Sequence, residues 1–293
     1  MLHLTQGLAM KAKTKDNIFI KLLSNPSGLI GIIIVTSYFL VALSYSFGLS
    51  PFPAAEQHVI DRLQAPSSKY LMGTDLFGRD IASRIMEGAK NSLYVALISV
   101  FLASVVGIFL GVISGFIGGH LDNLIMRIMD IFFAFPALLL ALLVITVLGT
   151  GLNNAVLAIA IVYTPIFARV ARGPVLAVKE MDFVQAGRGL GASSARLMLK
   201  HILPNILAPL IVQISLALSW SLLTEASLSF LGLGVQPPAA SWGVMLSESR
   251  GLAERAPWLM MFPAIAISLG VLGFNLLGDG LRDVLDPRMR SRK

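Results

Sequence analysis

The chain has 293 residues, of which 56% are hydrophobic and only 13% are charged. This composition excludes an ordinary soluble globular domain and places the chain with membrane proteins. The helix-length apolar runs described below predict an all-α fold. The absence of Cys excludes disulfide bonds and thiolate metal sites. The net charge of +7 comes from loop residues without interleaved aromatic side chains, which favours contact with anionic lipid over nucleic acid.

The first predicted membrane-spanning helix covers residues 29–47. About 20 apolar residues are needed to cross ~30 Å of hydrocarbon, and this uncharged run has nearly that length. The segment before it, 1–28, is polar and basic and lacks the character of a cleaved signal peptide. The segment after it, 48–91, is polar and is predicted to lie outside the membrane.

Within that polar segment, residues 73–80 read G-T-D-L-F-G-R-D. The two glycines permit tight turns, and Asp75 is placed to accept hydrogen bonds from its own backbone. Asp80 is placed to cap a short helix that begins at Ile81. The proximity of Asp75 and Asp80 raises acid catalysis as an alternative, although no nucleophile accompanies them.

A second span is predicted over 92–116, and small side chains recur along one of its faces. Small faces let membrane helices approach one another closely, so this face is predicted to pack against another helix. The small residues are Ala96, Ser99, Ala103, Ser104, Gly107, Gly111 and Gly115.

The third predicted span, 125–148, contains two opposite charges one helical turn apart. Arg127 and Asp130 are placed to pair, which lowers the cost of charge near the interface. Pro136 is expected to bend this helix. The turn before it, 118–123, contains one His and one Asp, too few ligands for a metal site, and is predicted to be solvated.

A fourth span is predicted over 155–171. Pro165 is expected to break it, and Arg169 and Arg172 mark its cytoplasmic edge.

A long polar stretch, DFVQAGRGLGASSARLMLKHILP, occupies residues 182–204. A helix is predicted to begin with Pro174 at its first position, and three glycines weaken that helix at its end. Ser193 or Ser194 then caps a second helix, which Pro204 is expected to stop. A helix, a turn and a helix is a shape that another protein's groove can hold, and a plain connecting loop is the alternative.

A fifth span is predicted over 206–223 and a last one over 258–277, before a basic tail at 279–293. Sixteen of the 23 Lys and Arg residues fall on the side of the two termini and the 182–204 stretch. The positive-inside rule therefore predicts that both termini lie in the cytoplasm, which agrees with the even number of predicted crossings, about six.

Two of these segments resemble ABC importer permeases. The 182–204 stretch resembles the family's E-A-A, three residues, Gly, nine residues, I-x-L-P signature, with Gln185, Gly187 and His201 as departures. The run G-T-D-x-x-G-R-D-x-x-S-R over 73–84 resembles the segment after the first span in the peptide and nickel branch of the family. The signature positions that match are Ala186, Gly191, Leu203 and Pro204.

The resemblance implies a type I ABC importer permease bundle in the cell's inner membrane. It further implies a second, related permease that completes a path for dipeptides, oligopeptides or nickel chelates, and an extracytoplasmic substrate-binding protein. Two ATPase subunits, which bind ATP-Mg, are expected to grip the loop 174–204. The coupling residues implied are Asp182, Gln185, Ala186, Gly187, Leu190, Gly191, Ala192, Ser193, Arg196, His201, Leu203 and Pro204.

The sequence contains no ATP-binding loop and no recognisable catalytic motif, so we predict a non-catalytic subunit without a cofactor or metal of its own. Glu225 is the most isolated acid of the chain. It is predicted either to line the path or contact the second permease, or to be a helix-end acid at the far interface. The rival functions are a secondary transporter or channel that works without an ATPase, and a membrane scaffold.

Overall fold

The computed structural model describes residues 18–285. The predicted segments 1–28 and 279–293 lie partly outside these residues, as do most of the terminal charges used in the orientation argument.

The described part of the chain is helical, and its single β pairing is an isolated bridge between Thr74 and Asp80. A 3₁₀ turn covers Val59–Asp61, and a π-helix over Leu197–Ile202 is followed by a 3₁₀ turn over Leu203–Ile206. The α-helices are α1 (Ile18–Ser24), α2 (Pro26–Ser46), α3 (Ile81–Ile117), α4 (Gly119–Phe133), α5 (Ala137–Leu148), α6 (Leu152–Val178), α7 (Asp182–Gly189), α8 (Ser194–Arg196), α9 (Leu207–Phe230), α10 (Trp242–Glu248) and α11 (Trp258–Leu285).

The helices give up to six membrane crossings, as predicted. Five are long and apolar enough to span a bilayer, and α4 with α5 forms a sixth, broken span with a bend of 94°. The break lies between Phe133 and Ala137, so the bend expected at Pro136 is confirmed. The Asn25 side chain donates to Asp283 over 3.0 Å, which brings the beginning of α2 and the end of α11 to the same end of the bundle.

We name the two ends of the bundle by their sequence features. The hairpin end carries residues 182–204, and the motif end carries residues 73–84. The first and last spans both meet the hairpin end, which agrees with an even number of crossings.

The short helix expected after Asp80 is instead the beginning of α3, which runs without a break for 37 residues. The Asp80 side chain caps it as predicted, since Asp80 accepts from the Ser83 amide over 2.8 Å. A helix of that length extends about 55 Å, so its first turns project beyond the ~30 Å hydrocarbon core.

The predicted break at Pro165 is absent, and Pro174 does not begin a new helix. Both prolines lie inside the continuous helix α6. Membrane helices tolerate proline because neighbouring groups and small local adjustments satisfy the freed backbone carbonyls.

The small face of α3 packs on α6, which confirms the predicted helix contact. All seven of its small residues are buried. The approach is closest at Gly111, where an added Cβ would lie 2.2 Å from the Ala168 carbonyl oxygen. Next to this contact, Ile159 and Phe167 of α6 share a buried core with Leu228 of α9.

The fifth span continues well past the predicted end at residue 223, because α9 extends to Phe230. Glu225 is therefore inside a helix and not at its end. The first and last spans pack side by side, and the Tyr38 hydroxyl donates to the Ala266 carbonyl of α11 over 2.6 Å.

Candidate functional site

The hairpin, residues 182–204, has the predicted form of a helix, a turn and a helix. Helix α7 ends in a turn in which Gly191 has a φ of +77°, a conformation that side chains with a Cβ rarely adopt. The Ser193 hydroxyl then accepts from the Arg196 amide over 3.4 Å and begins α8. The cap predicted at Ser193 is thus present.

Pro204 does not stop the second helix as predicted. The chain passes through the π-helix and the 3₁₀ turn directly into α9, so residues 194–230 form one helical run. Proline lacks an N–H and cannot donate an α-helical hydrogen bond. The change from π to 3₁₀ geometry next to Pro204 accommodates this missing donor without ending the helix.

The root of the hairpin is buried against two membrane helices. Three apolar hairpin residues, and Ile206 just after the hairpin, have at most 1% exposure and pack on the ends of α3 and α6. The hairpin is therefore joined firmly to the bundle. The three hairpin residues are Val184, Leu197 and Ile202, and their partners include Val112, Phe116, Val175 and Val178.

Polar contacts fix the corner between α6 and α7. The Gln185 amide donates to the Lys179 carbonyl over 3.0 Å and lies 3.5 Å from a Glu180 carboxylate oxygen. The Lys179 ammonium in turn donates to the Gly115 carbonyl of α3 over 2.9 Å. A Glu at position 185 has no proton to donate at neutral pH and would face Glu180, so this corner suits Gln.

The outer surface of the hairpin is exposed and partly apolar. Leu190 at the turn is 88% exposed, and Leu199 is 64% exposed. Of the predicted coupling residues, four are partly exposed, namely Gly187, Ala192, His201 and Leu203. The others are exposed, namely Asp182, Gln185, Ala186, Leu190, Gly191, Ser193, Arg196 and Pro204.

Two ion pairs near the hairpin end differ from the predicted one. Asp130 pairs with Arg169 of α6 and not with Arg127, because the two helices face each other there. Asp122, predicted to be solvated, is 7% exposed and receives Arg172 through two hydrogen bonds of 2.7 and 2.6 Å. The bidentate geometry joins α4 to α6.

At the motif end, an ionic cluster with three buried members and one partly exposed member joins distant parts of the chain. The motif cluster consists of Asp75, Arg79, Arg84 and Glu248. Arg79 binds Asp75 over 2.5 Å and Glu248 over 2.9 Å, and Arg84 binds Glu248 over 2.8 Å. Two guanidinium groups thus meet two carboxylates.

Glu248 was not predicted, because it lies on α10, 169 residues after Arg79 and 164 after Arg84, and carries no local motif. Both acids of the 73–80 run therefore make structural contacts. Asp75 is ion-paired, and Asp80 caps α3.

The Asp61 carboxylate organises the rest of the segment between the first two spans. It accepts from the Lys69 ammonium over 2.7 Å and from the Tyr70 hydroxyl over 2.8 Å. The bonds from Lys69 and Tyr70 lower the pKa of Asp61, and the bond to Asp61 raises the pKa of Lys69.

Glu225 has no exposed surface. One of its carboxylate oxygens accepts from the Ser229 hydroxyl over 2.7 Å, and the other has no hydrogen-bond partner within residues 18–285. The predicted contact with the path or with a second permease would require the side chain to leave this position. The same described residues contain no group of three His, Cys, Asp or Glu side chains that could hold a metal ion.

A family model, described as the inner membrane component of binding-protein-dependent transport systems, matches residues 107–291. The chain belongs to this family. The match covers the hairpin, α6, α9 and α11, and it confirms the resemblance to ABC importer permeases.

Close relatives of this permease carry names from peptide transport. The dipeptide transport system permease protein DppC of Alkalihalophilus pseudofirmus is 46% identical over 93% of this chain and 90% of that protein. The glutathione transport system permease protein GsiD of Pectobacterium atrosepticum is 45% identical over 83% and 81%. The di/tripeptide transport system permease protein DppC of Pseudomonas aeruginosa is also 45% identical, over 83% and 82%.

Among solved structures, the permease resembles a chain of the MetNI methionine ABC transporter in an inward-facing conformation. The TM-score is 0.56 at 20% identity, over 68% of this chain and 94% of that one. This similarity supports the type I permease fold.

Proposed function

We propose that this chain forms one half of the translocation path of an ATP-driven peptide importer, and that an ATPase subunit binds at the hairpin. The ATPase supplies the energy, because the permease sequence has no ATP-binding loop. Hydrolysis and ATP-Mg binding belong to separate chains, and this subunit is not an enzyme.

The observation that carries the proposal is the contrast between the two surfaces of the hairpin. Its root is buried against α3 and α6, whereas its tip presents Leu190 with 88% of its surface exposed. Phe183 and Leu199, also on the hairpin, are exposed as well. Neighbouring exposed apolar side chains at a membrane surface favour a protein partner.

The connection between hairpin and bundle permits mechanical coupling. Residues 194–230 form one helical run, so a displacement of α8 passes along α9 toward the motif end. Buried contacts to α3 and α6 carry the same displacement to two further spans. Packed interiors transmit such shifts because they have few voids.

We infer the cargo from the named relatives, which transport dipeptides, di/tripeptides or glutathione. Peptides are therefore the first class to test, and nickel chelates the second. By the family's description, the system includes a substrate-binding protein and resides in the inner membrane. A second, non-identical permease completes the proposed path, and two ATPase subunits complete the transporter.

The test is reconstitution of the permease in liposomes with its ATPase subunits, second permease and binding protein. Uptake of a labelled dipeptide should require ATP and stop when the ATPase is replaced by a hydrolysis-deficient variant. Uptake driven by an ion gradient without any ATPase would contradict the proposal and favour a secondary transporter. Uptake of a nickel chelate but of no peptide would overturn the cargo assignment alone.

A further inference from the structure

Two membrane helices expose stripes of side chains with very different chemistry. The exposed face of α3 is apolar through the middle of the span. Such a face suits lipid tails. Its residues are Ile98, Phe101, Val105 and Phe109.

The exposed face of α9 carries Gln213, Trp220, Thr224 and Ser227. With 3.6 residues per turn, these four positions fall within about 60° of the helix circumference. Trp220 is 60% exposed, and the three polar residues are partly exposed. We call these four residues the α9 stripe; two helical turns, which include the buried Ala217, separate Gln213 from Trp220.

The depth of Trp220 is unusual for its residue type. Tryptophan in membrane proteins prefers the two interfaces, where its amphipathic ring meets the headgroups. Trp220 is the fourteenth of the 24 residues of α9, so it lies near the middle of a helix about 36 Å long. Of the other two tryptophans, Trp242 is buried and Trp258 begins α11.

The Gln213 amide of the stripe also fits water better than lipid. The Gln213 amide makes no hydrogen bond to any residue in the range 18–285, and an unsatisfied amide is costly in hydrocarbon. The Thr224 hydroxyl lies 3.0 Å from the hydroxyl of the buried Tyr163 of α6. The hydroxyls of Thr224 and Ser227 donate to carbonyls one turn earlier in α9. The stripe contains no charged residue.

We propose that the α9 stripe lines the water-filled translocation path, and that Trp220 is the residue against which the side chains of a peptide cargo pass. The inference rests on the proposed function for the identity of the cargo. An indole offers a large apolar surface and one N–H donor, so it can contact varied side chains. A neutral stripe imposes no selection by cargo charge.

The natural absence of Cys in this chain makes the test direct, because each introduced cysteine is unique. The experiment uses the assembled transporter with Thr224→Cys or Ser227→Cys, and the matched controls Phe101→Cys and Val105→Cys on the exposed face of α3. A charged, membrane-impermeant thiol reagent is added with and without ATP, and the adduct is measured on this chain by mass.

The thiolate forms in water and not in hydrocarbon, so the stripe positions should react at least about tenfold faster than the α3 controls in one or both nucleotide states. Transported peptide should slow the reaction. Equal, slow labelling at all four positions would overturn the proposal. Labelling is read without transport, so rapid labelling of the stripe in a system that fails to import peptides would refute only the proposed function.

A second variant tests Trp220 itself. Trp220→Ala should change the relative uptake of peptides with bulky and small side chains by about tenfold, while Trp220→Phe retains the preference. Unchanged relative uptake in a Trp220→Ala transporter that assembles normally would contradict the assigned contact.

Discussion

Residues 73–84 and the hairpin both resemble sequence patterns of one family, yet their signature residues have opposite environments in the structure. In the motif cluster, Asp75, Arg79 and Arg84 are all buried and bind one another or Glu248. In the hairpin, the signature residues Gln185 and Gly191 are exposed. The first motif therefore makes contacts within the chain, whereas the second is available to another chain.

This difference separates two effects of substitution. Changes in the motif cluster should reduce stability, and transport should fall because less folded permease is present. Changes at the tip of the hairpin should reduce transport in a permease that is folded and inserted.

The largest effect is expected for Arg79→Met. The substitution removes the 2.5 Å partner of the buried Asp75 and leaves it only Arg84 at 3.8 Å, and removal of one partner of a buried pair costs about 3–5 kcal/mol. Thermal unfolding in detergent measures the loss. The control is Lys69→Met, because the Lys69 side chain is 61% exposed and its ion pair with Asp61 should contribute little. Equal unfolding temperatures for the two variants would show that the motif cluster is not a stabilising unit.

For Gly191→Asp we expect the rate of peptide transport to fall at least about tenfold. This corresponds to a loss of about 1.4 kcal/mol in the coupling between the ATPase and the permease. A Cβ at Gly191 meets no atom within 4 Å, so the cost in stability is confined to the backbone, at about 1–2 kcal/mol. Gly48→Asp is the matched control, because Gly48 has a φ of +74° and equally open surroundings at the other end of the bundle. A similar loss of transport in both variants would show that the hairpin is no more important for transport than the opposite end of the bundle.

Glu225 extends the comparison to a buried acid outside both motifs. Glu225→Ala removes the acceptor of the Ser229 hydroxyl and should cost about 1–3 kcal/mol in thermal unfolding. Glu225→Gln keeps a carbonyl acceptor and should be much closer to the wild type. If the Gln variant loses as much stability as the Ala variant, the carboxylate itself is required. That result would agree with the predicted role of Glu225 in the translocation path.

The smallest effect concerns pH and the partly exposed Asp61. Because its pKa is lowered in the folded state, its contribution to stability is present above its ordinary pKa of 3.8 and is lost as pH falls through the lowered value. The unfolding temperatures of the wild type and Asp61→Asn should therefore differ at about pH 7 and converge toward about pH 3. A constant difference across that range would refute the linkage.

Local sequence signals predicted the features that depend on neighbouring residues. The caps at Asp80 and Ser193, the bend at Pro136 and the small face of α3 all follow from rules over one or two turns. The number of spans follows from hydropathy in the same way.

The incorrect predictions concern features that depend on the membrane environment or on residues far away in the sequence. Pro165 and Pro174 remain inside α6, because a packed membrane helix tolerates proline that a soluble helix would not. The partner of Asp130 is on another helix, as is that of Asp122. Glu248 joins the motif cluster through tertiary contacts that no local pattern encodes.

The central claim is that an ATPase subunit binds at the hairpin tip, and site-specific crosslinking from position 190 tests it most directly. Leu190→Cys provides a single thiol in this Cys-free chain, to which a photoreactive maleimide is attached in the assembled transporter. Leu231→Cys, exposed at the motif end, is the control. We predict a crosslink to the ATPase from position 190 and none from position 231. Crosslinks from position 190 to lipid alone, or to the substrate-binding protein, would contradict the account.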